Sequence, residues 1–151
     1  MGKTLLSLWA LFVAIALMML GNGLQGTLLG VRAEAEGFNS ATSGLIMMGY
    51  FGGLLLGALS IPKAIETVGH VRVYAALTSL ASVAILLHPS FINPWTWGGL
   101  RFLTGFCYAG LYIVVESWLN DLSSNDNRGR VLSLYMVITM SAMAGAQYLL
   151  N

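Results

Sequence analysis

The chain has 151 residues, of which 57% are hydrophobic and only 9% charged, and its mean hydropathy is +0.77. A water-soluble domain of this size could not cover so much apolar surface, so lipid is the expected solvent. A net charge of +1 gives no electrostatic basis for nucleic-acid binding, and a single cysteine, Cys107, rules out an internal disulfide.

The charges fall in bunches. None lies between Lys3 and Arg32, between Glu36 and Lys63, between Arg72 and Arg101, or after Arg130. A helix needs about 20 apolar residues to cross the hydrocarbon core, and each interval is long enough for one crossing. The first segment runs roughly from Thr4 to Leu29. It resembles a signal peptide, but its apolar run exceeds the usual core of about 7–15 residues and no small-x-small site follows, so a retained helix is expected. Asn22 and Gln25, three apart, share a face of it. The second segment runs from about 40 to 62, capped by Asn39 or Ser40, and the third from about 71 to 87. The fourth covers about 95 to 119, and the fifth about 131 to 151. Pro62, Pro89 and Pro94 all fall at these segment ends, where a missing N–H costs least. The expected fold is an all-α membrane protein in which residues 1–151 form one amino-terminal transmembrane bundle. The last segment ends at Asn151 without a polar tail, as in a fragment.

Basic residues set the expected orientation. Lys3, Lys63, Arg72, Arg128 and Arg130 would share one side of the membrane, against Arg32 on the other, which places the N-terminus in the cytoplasm. Trp95 and Trp97 would mark the outer interface and Trp118 the inner one. Helices in lipid associate through close backbone approach at small residues. The second helix carries Gly49, Gly53 and Gly57 on one face. Gly26 and Gly30 in the first helix, and Ser141 and Gly145 in the fifth, are further candidates.

The fourth segment holds the one charge that breaks an otherwise apolar run. At about 100° per residue, Arg101, Tyr108, Tyr112 and Glu116 fall within an arc of about 80°. Gly105 and Ala109 beside them are small enough to leave room for a ligand. A charge inside the membrane costs about 2.5–3.5 kcal/mol on insertion scales and normally faces protein or a water-filled cavity. One reading is therefore a cavity-lining stripe that meets a substrate or a coupling proton. The other is that Arg101, close to Trp97, snorkels to the interface, while Glu116, close to Trp118, is already at the cytoplasmic surface. Asn22 and Gln25 fit a ligand contact or an interhelical hydrogen bond equally well. Tyr50, Ser133, Thr139 and Gln147 carry a weaker polar signal.

Two loops carry the most specific patterns. Between the second and third segments the chain reads Pro62-Lys63-Ala64-Ile65-Glu66-Thr67-Val68-Gly69-His70-Val71-Arg72, an acid followed by glycine and then basic residues. Between the fourth and fifth, Glu116 is followed by Arg128-Gly129-Arg130. These residues resemble the N-terminal half of a major facilitator superfamily transporter. Glu66, Gly69, His70 and Arg72 look like the second half of that family's loop motif, with Pro62 where its first glycine would stand. Arg101 with Gly105 resembles its helix-four arginine motif, and Glu116 with Arg128-Gly129 its cytoplasmic acid and Arg-Gly pair. The Gly-Pro-rich motif of the family's drug antiporters is missing between Ser141 and Gln147.

The resemblance implies helices one to five of a six-helix half, with a missing C-terminal half completing the carrier. It implies secondary active transport of a small-molecule substrate by alternating access in the cell membrane, with proton coupling an open question. Asn22, Gln25, Arg101, Tyr108, Tyr112 and Glu116 are the expected substrate or proton pathway. Glu66, Gly69, Arg72, Glu116, Arg128 and Gly129 are the expected cytoplasmic gate. The alternative is a small helical bundle or channel. An enzyme is not expected: the chain has no H-E-x-x-H or G-x-S-x-G motif, and its two histidines would lie on opposite faces. No cofactor or metal is expected. The substrate is not named by the sequence, nor is symport separated from antiport.

Overall fold

A computed structural model describes the backbone of residues 2–150 and the side chains of residues 9–150. Lys3 and Asn151, which enter the sequence reading, lie outside the described side chains. The described residues form five helices: α1 (Gly2–Ala35), α2 (Ser40–Val68), α3 (His70–Leu87), α4 (Pro94–Asp121) and α5 (Arg128–Tyr148), with a 3-10 turn at His88–Ser90. All five are long and apolar enough to cross a membrane.

Local chemistry accounts for the ends. α1 runs past the expected Leu29 to Ala35 and stops in a Schellman turn. Gly37 takes φ +78°, the Phe38 N–H donates to Ala33 O, and the Gly37 N–H donates to Glu34 O. Arg32 in the last turn pairs with Glu36 at 2.6 Å. Asn39 is the cap of α2: its Oδ1 accepts from the Thr42 N–H at 2.8 Å. Asn93 does the same for α4 through the Trp95 N–H, and Pro94 occupies the first helical position, where no N–H is needed.

Pro62 does not end α2. The helix continues to Val68. The carbonyl that loses its donor belongs to Ala58, which is exposed, so the broken bond lies on the outside of the helix. α2 stops instead at Gly69, with φ +90° and ψ 158°, a conformation that L side chains rarely adopt. The same residue precedes α3, so the reversal takes a single residue.

The chain divides into two compact units. One comprises Met1–Val31 with Leu119–Asn151. Within it α1 meets α5 at Gly23, where an added Cβ would lie 2.7 Å from Ala146 Cβ. One turn on, the Gln147 Nε2–H donates to Thr27 Oγ1 at 3.1 Å. The contact line therefore runs through Gly23 and Thr27, not through the expected Gly26 and Gly145, where an added Cβ would meet nothing within 4 Å among the described residues. The Thr27–Gln147 bond fixes that register.

The other unit is Arg32–Trp118. Here the glycine stripe of α2 lies directly on α4. An added Cβ at Gly49 would sit 2.8 Å from Gly98 O, and one at Gly57 would sit 2.7 Å from Phe106 O. At Gly53 it would collide with Phe102 O, and at Gly105 with Tyr50 O. Gly110 of α4 lies under Ile61 of α2 and Leu77 of α3, so three helices converge there. α4 is the most enclosed span, 56% buried against 17–28% for the others.

Candidate functional site

Close packing of α2 on α4 brings Tyr50 beside Arg101. Tyr50 follows Gly49 in the contact stripe, and its carbonyl rests against Gly105. Its ring then covers the guanidinium, with Cζ 4.4 Å from the ring centroid. Arg101 is 5% exposed and Tyr108 4%. The Tyr108 and Tyr112 rings stand 6.4 Å apart, tilted by 44°. A desolvated cation–π contact contributes about 2 kcal/mol. It supplies no hydrogen-bond acceptor lone pair in exchange: Nε and Nη1 are buried and meet no hydrogen-bond partner among the described residues.

The guanidinium is enclosed by protein. The helical wheel set Arg101, Tyr108, Tyr112 and Glu116 on one arc, but burial falls away along it. Tyr112 is half-buried and Glu116 exposed. Gly105 and Ala109, expected to leave space for a ligand, are filled by α2: Gly105 by the Tyr50 backbone, and Ala109 by the approach to Gly57. A separate apolar groove of about 490 Å³ lies between the first turns of α2 and α4, lined by Thr42, Leu45, Ile46, Pro94, Trp95 and Gly98 among others. None of the expected pathway residues lines it.

Asn22 and Gln25 belong to the other unit. Both are half-buried, and neither the oxygen nor the nitrogen of the Gln25 amide has a hydrogen-bond partner among the described residues. The expected gate divides likewise. Glu66, Gly69, Arg72 and Glu116 lie in one unit, and Arg128 and Gly129 in the other. Glu66 and Arg72 are exposed and make no ion pair with each other among the described residues. The tie at this end is different: His70 Nε2 and Ser117 Oγ lie 2.9 Å apart, joining the start of α3 to the end of α4.

At the opposite end the structure ties His88 to Trp97. His88 is buried, its Nδ1–H donating to Ala84 O at 2.8 Å. The Trp97 Nε1–H donates to His88 O at 3.0 Å. Trp97 is 1% exposed and packs edge-on to Phe38, so it is not the interface marker expected. Trp95, at 90% exposure, is open to its surroundings.

The Major Facilitator Superfamily profile matches residues 11–148. The chain belongs to the major facilitator superfamily. It is similar to an uncharacterized MFS-type transporter of Yersinia enterocolitica, 32% identical over 72% of this chain and 28% of that protein. It is also similar to one of Enterobacter sp., 29% identical over 85% of this chain and 34% of that protein, and to one of Escherichia coli, 28% identical over the same shares. The chain thus spans about a third of the length of these relatives. No solved structure matches it significantly. With five spans of membrane-crossing length, this superfamily chain is a multi-pass membrane protein.

Proposed function

We propose that this chain is the first five helices of a secondary transporter that carries a small molecule across the cell membrane by alternating access. The observation that carries the reading is a buried, hydrogen-bond-hungry cation on the most enclosed helix of a superfamily member. Such a group inside a membrane protein marks a pathway more often than a scaffold. In this reading Arg101 and Tyr108 face the solute, with Tyr112 nearer the cytoplasm; Asn22 and Gln25 are polar positions of α1 assigned to the pathway by the sequence alone. The N-terminus is cytoplasmic, and a C-terminal half of the same transporter completes the cavity. Glu66, Gly69, Arg72, Glu116, Arg128 and Gly129 are assigned to the cytoplasmic gate, a reading that rests on their pattern in the sequence.

Proton coupling through the Arg101 stripe has less support. Arginine does not deprotonate in proteins, and Glu116 lies about 22 Å further along the helix. Counterflow in vesicles containing the full-length protein tests the carrier reading. A carrier exchanges labelled for unlabelled solute, whereas passive equilibration without exchange would mean a channel.

A further inference from the structure

The geometry points to an anion: we propose that the Arg101 cluster binds the carboxylate or phosphate group of a small molecule, and so that the carried solute is anionic. The proposal deepens the carrier reading and rests on it for the word "carried", though not for binding.

Arg101 is a fixed positive charge, since its guanidinium keeps its protons at any physiological pH. It is 5% exposed, and an unpaired charge enclosed in protein is strongly unfavourable. Among the described residues, the side chains within electrostatic reach of it are the phenols of Tyr50 and Tyr108 and the imidazole of His88. None is a carboxylate. Glu116, the acid on the same helix, is several turns away and exposed. The aromatic contact does not satisfy the cation either. The Tyr50 ring approaches Cζ at 4.4 Å, yet two of the guanidinium nitrogens have no acceptor among the described residues. What fits is a group that arrives edge-on with charged oxygens, since guanidinium edges match carboxylate and phosphate oxygens in charge and planarity. A neutral solute would leave the charge uncompensated, and a cationic one would be repelled.

The test uses the purified full-length protein and follows thermal unfolding with benzoate, succinate or inorganic phosphate, and with neutral benzamide and cationic benzylamine as controls. At least one of the anions should raise the unfolding midpoint while both controls leave it unmoved, and Arg101→Gln should abolish the shift. If Arg101→Gln fails to fold, Arg101→Lys replaces it. Lysine keeps the charge but loses the planar fork, and should weaken anion binding by about tenfold. No shift with any anion, equal shifts with the controls, or an undiminished response in the variant that folds would each overturn the proposal. The first of these would mean that the counter-charge comes from the protein itself. Counterflow of the bound anion separates the two readings. Binding through Arg101 without counterflow keeps the site and sinks the carrier. Counterflow of a neutral solute, unchanged by Arg101→Gln, keeps the carrier and sinks the anion site.

Discussion

Tyr50 illustrates how one side chain changes the meaning of another. On the sequence alone Arg101 has two homes, the membrane interface and the protein interior. The Tyr50 ring at 4.4 Å selects the second. Removing the ring while keeping the bulk, as in Tyr50→Leu, should lower the stability of the full-length protein by about 2 kcal/mol, read as a lower thermal midpoint. Tyr50→Phe keeps the π face and should lose much less. Equal losses in the two variants would show that the hydroxyl, not the ring, holds the site. At the other end, Trp97→Phe removes the Nε1–H donor to His88 O, at a cost of about 0.5–1.5 kcal/mol in the same measurement. The position of Arg101 was legible from the wheel because charge in an apolar run is rare. Its partner was not. Tyr50 sits one residue past Gly49, and only the decision to lay Gly49 on α4 brings it alongside.

At the scale of helices, periodicity was readable and register was not. Glycines at 49, 53 and 57 repeat every four residues, and a repeat of four is a face. The structure uses that face against the backbone of α4. Gly53→Val would drive a side chain into the Phe102 carbonyl and should cost more than the 1–3 kcal/mol typical of overpacking (about that much in ordinary cores). Gly44→Ala, on the same helix with nothing within 4 Å, should leave folding and expression unchanged. If both variants behave alike, the stripe is not the contact. In α1 and α5 small residues are so frequent that several faces look equally plausible, and the Thr27–Gln147 hydrogen bond decides among them. Pro62 misled for a related reason. A proline ends a helix only where the lost hydrogen bond cannot be tolerated, and Ala58 is exposed. The true stop is Gly69. Gly69→Ala must force a side chain into φ +90°, and should cost about 1–3 kcal/mol in thermal unfolding.

For the whole molecule, the number of spans was legible because the hydrocarbon core sets a minimum length that charge-free intervals meet or fail. Orientation rests on different physics, the retention of Lys and Arg on the cytoplasmic side. It is independent of how helices pack, so it needs its own test. The loop between α4 and α5 leads into Arg128 and Arg130 in the first turn of α5, and the turn between α3 and α4 contains no Lys or Arg. In the full-length protein in intact cells, a cysteine at Asp126 should therefore react only with a membrane-permeant maleimide, and one at Ser90 also with an impermeant one. Both positions are exposed, whereas the native Cys107 is buried and should stay silent in both arms. The reverse pattern would invert the proposed carrier in the membrane, turning the proposed gate residues Glu66, Arg72 and Glu116 to the outside while leaving the proposed Arg101 site as it stands. Reaction of both positions from the same side would mean that α4 does not cross. Arg101 would then have no membrane interior to be enclosed in, and the case for a solute pathway through it would fail.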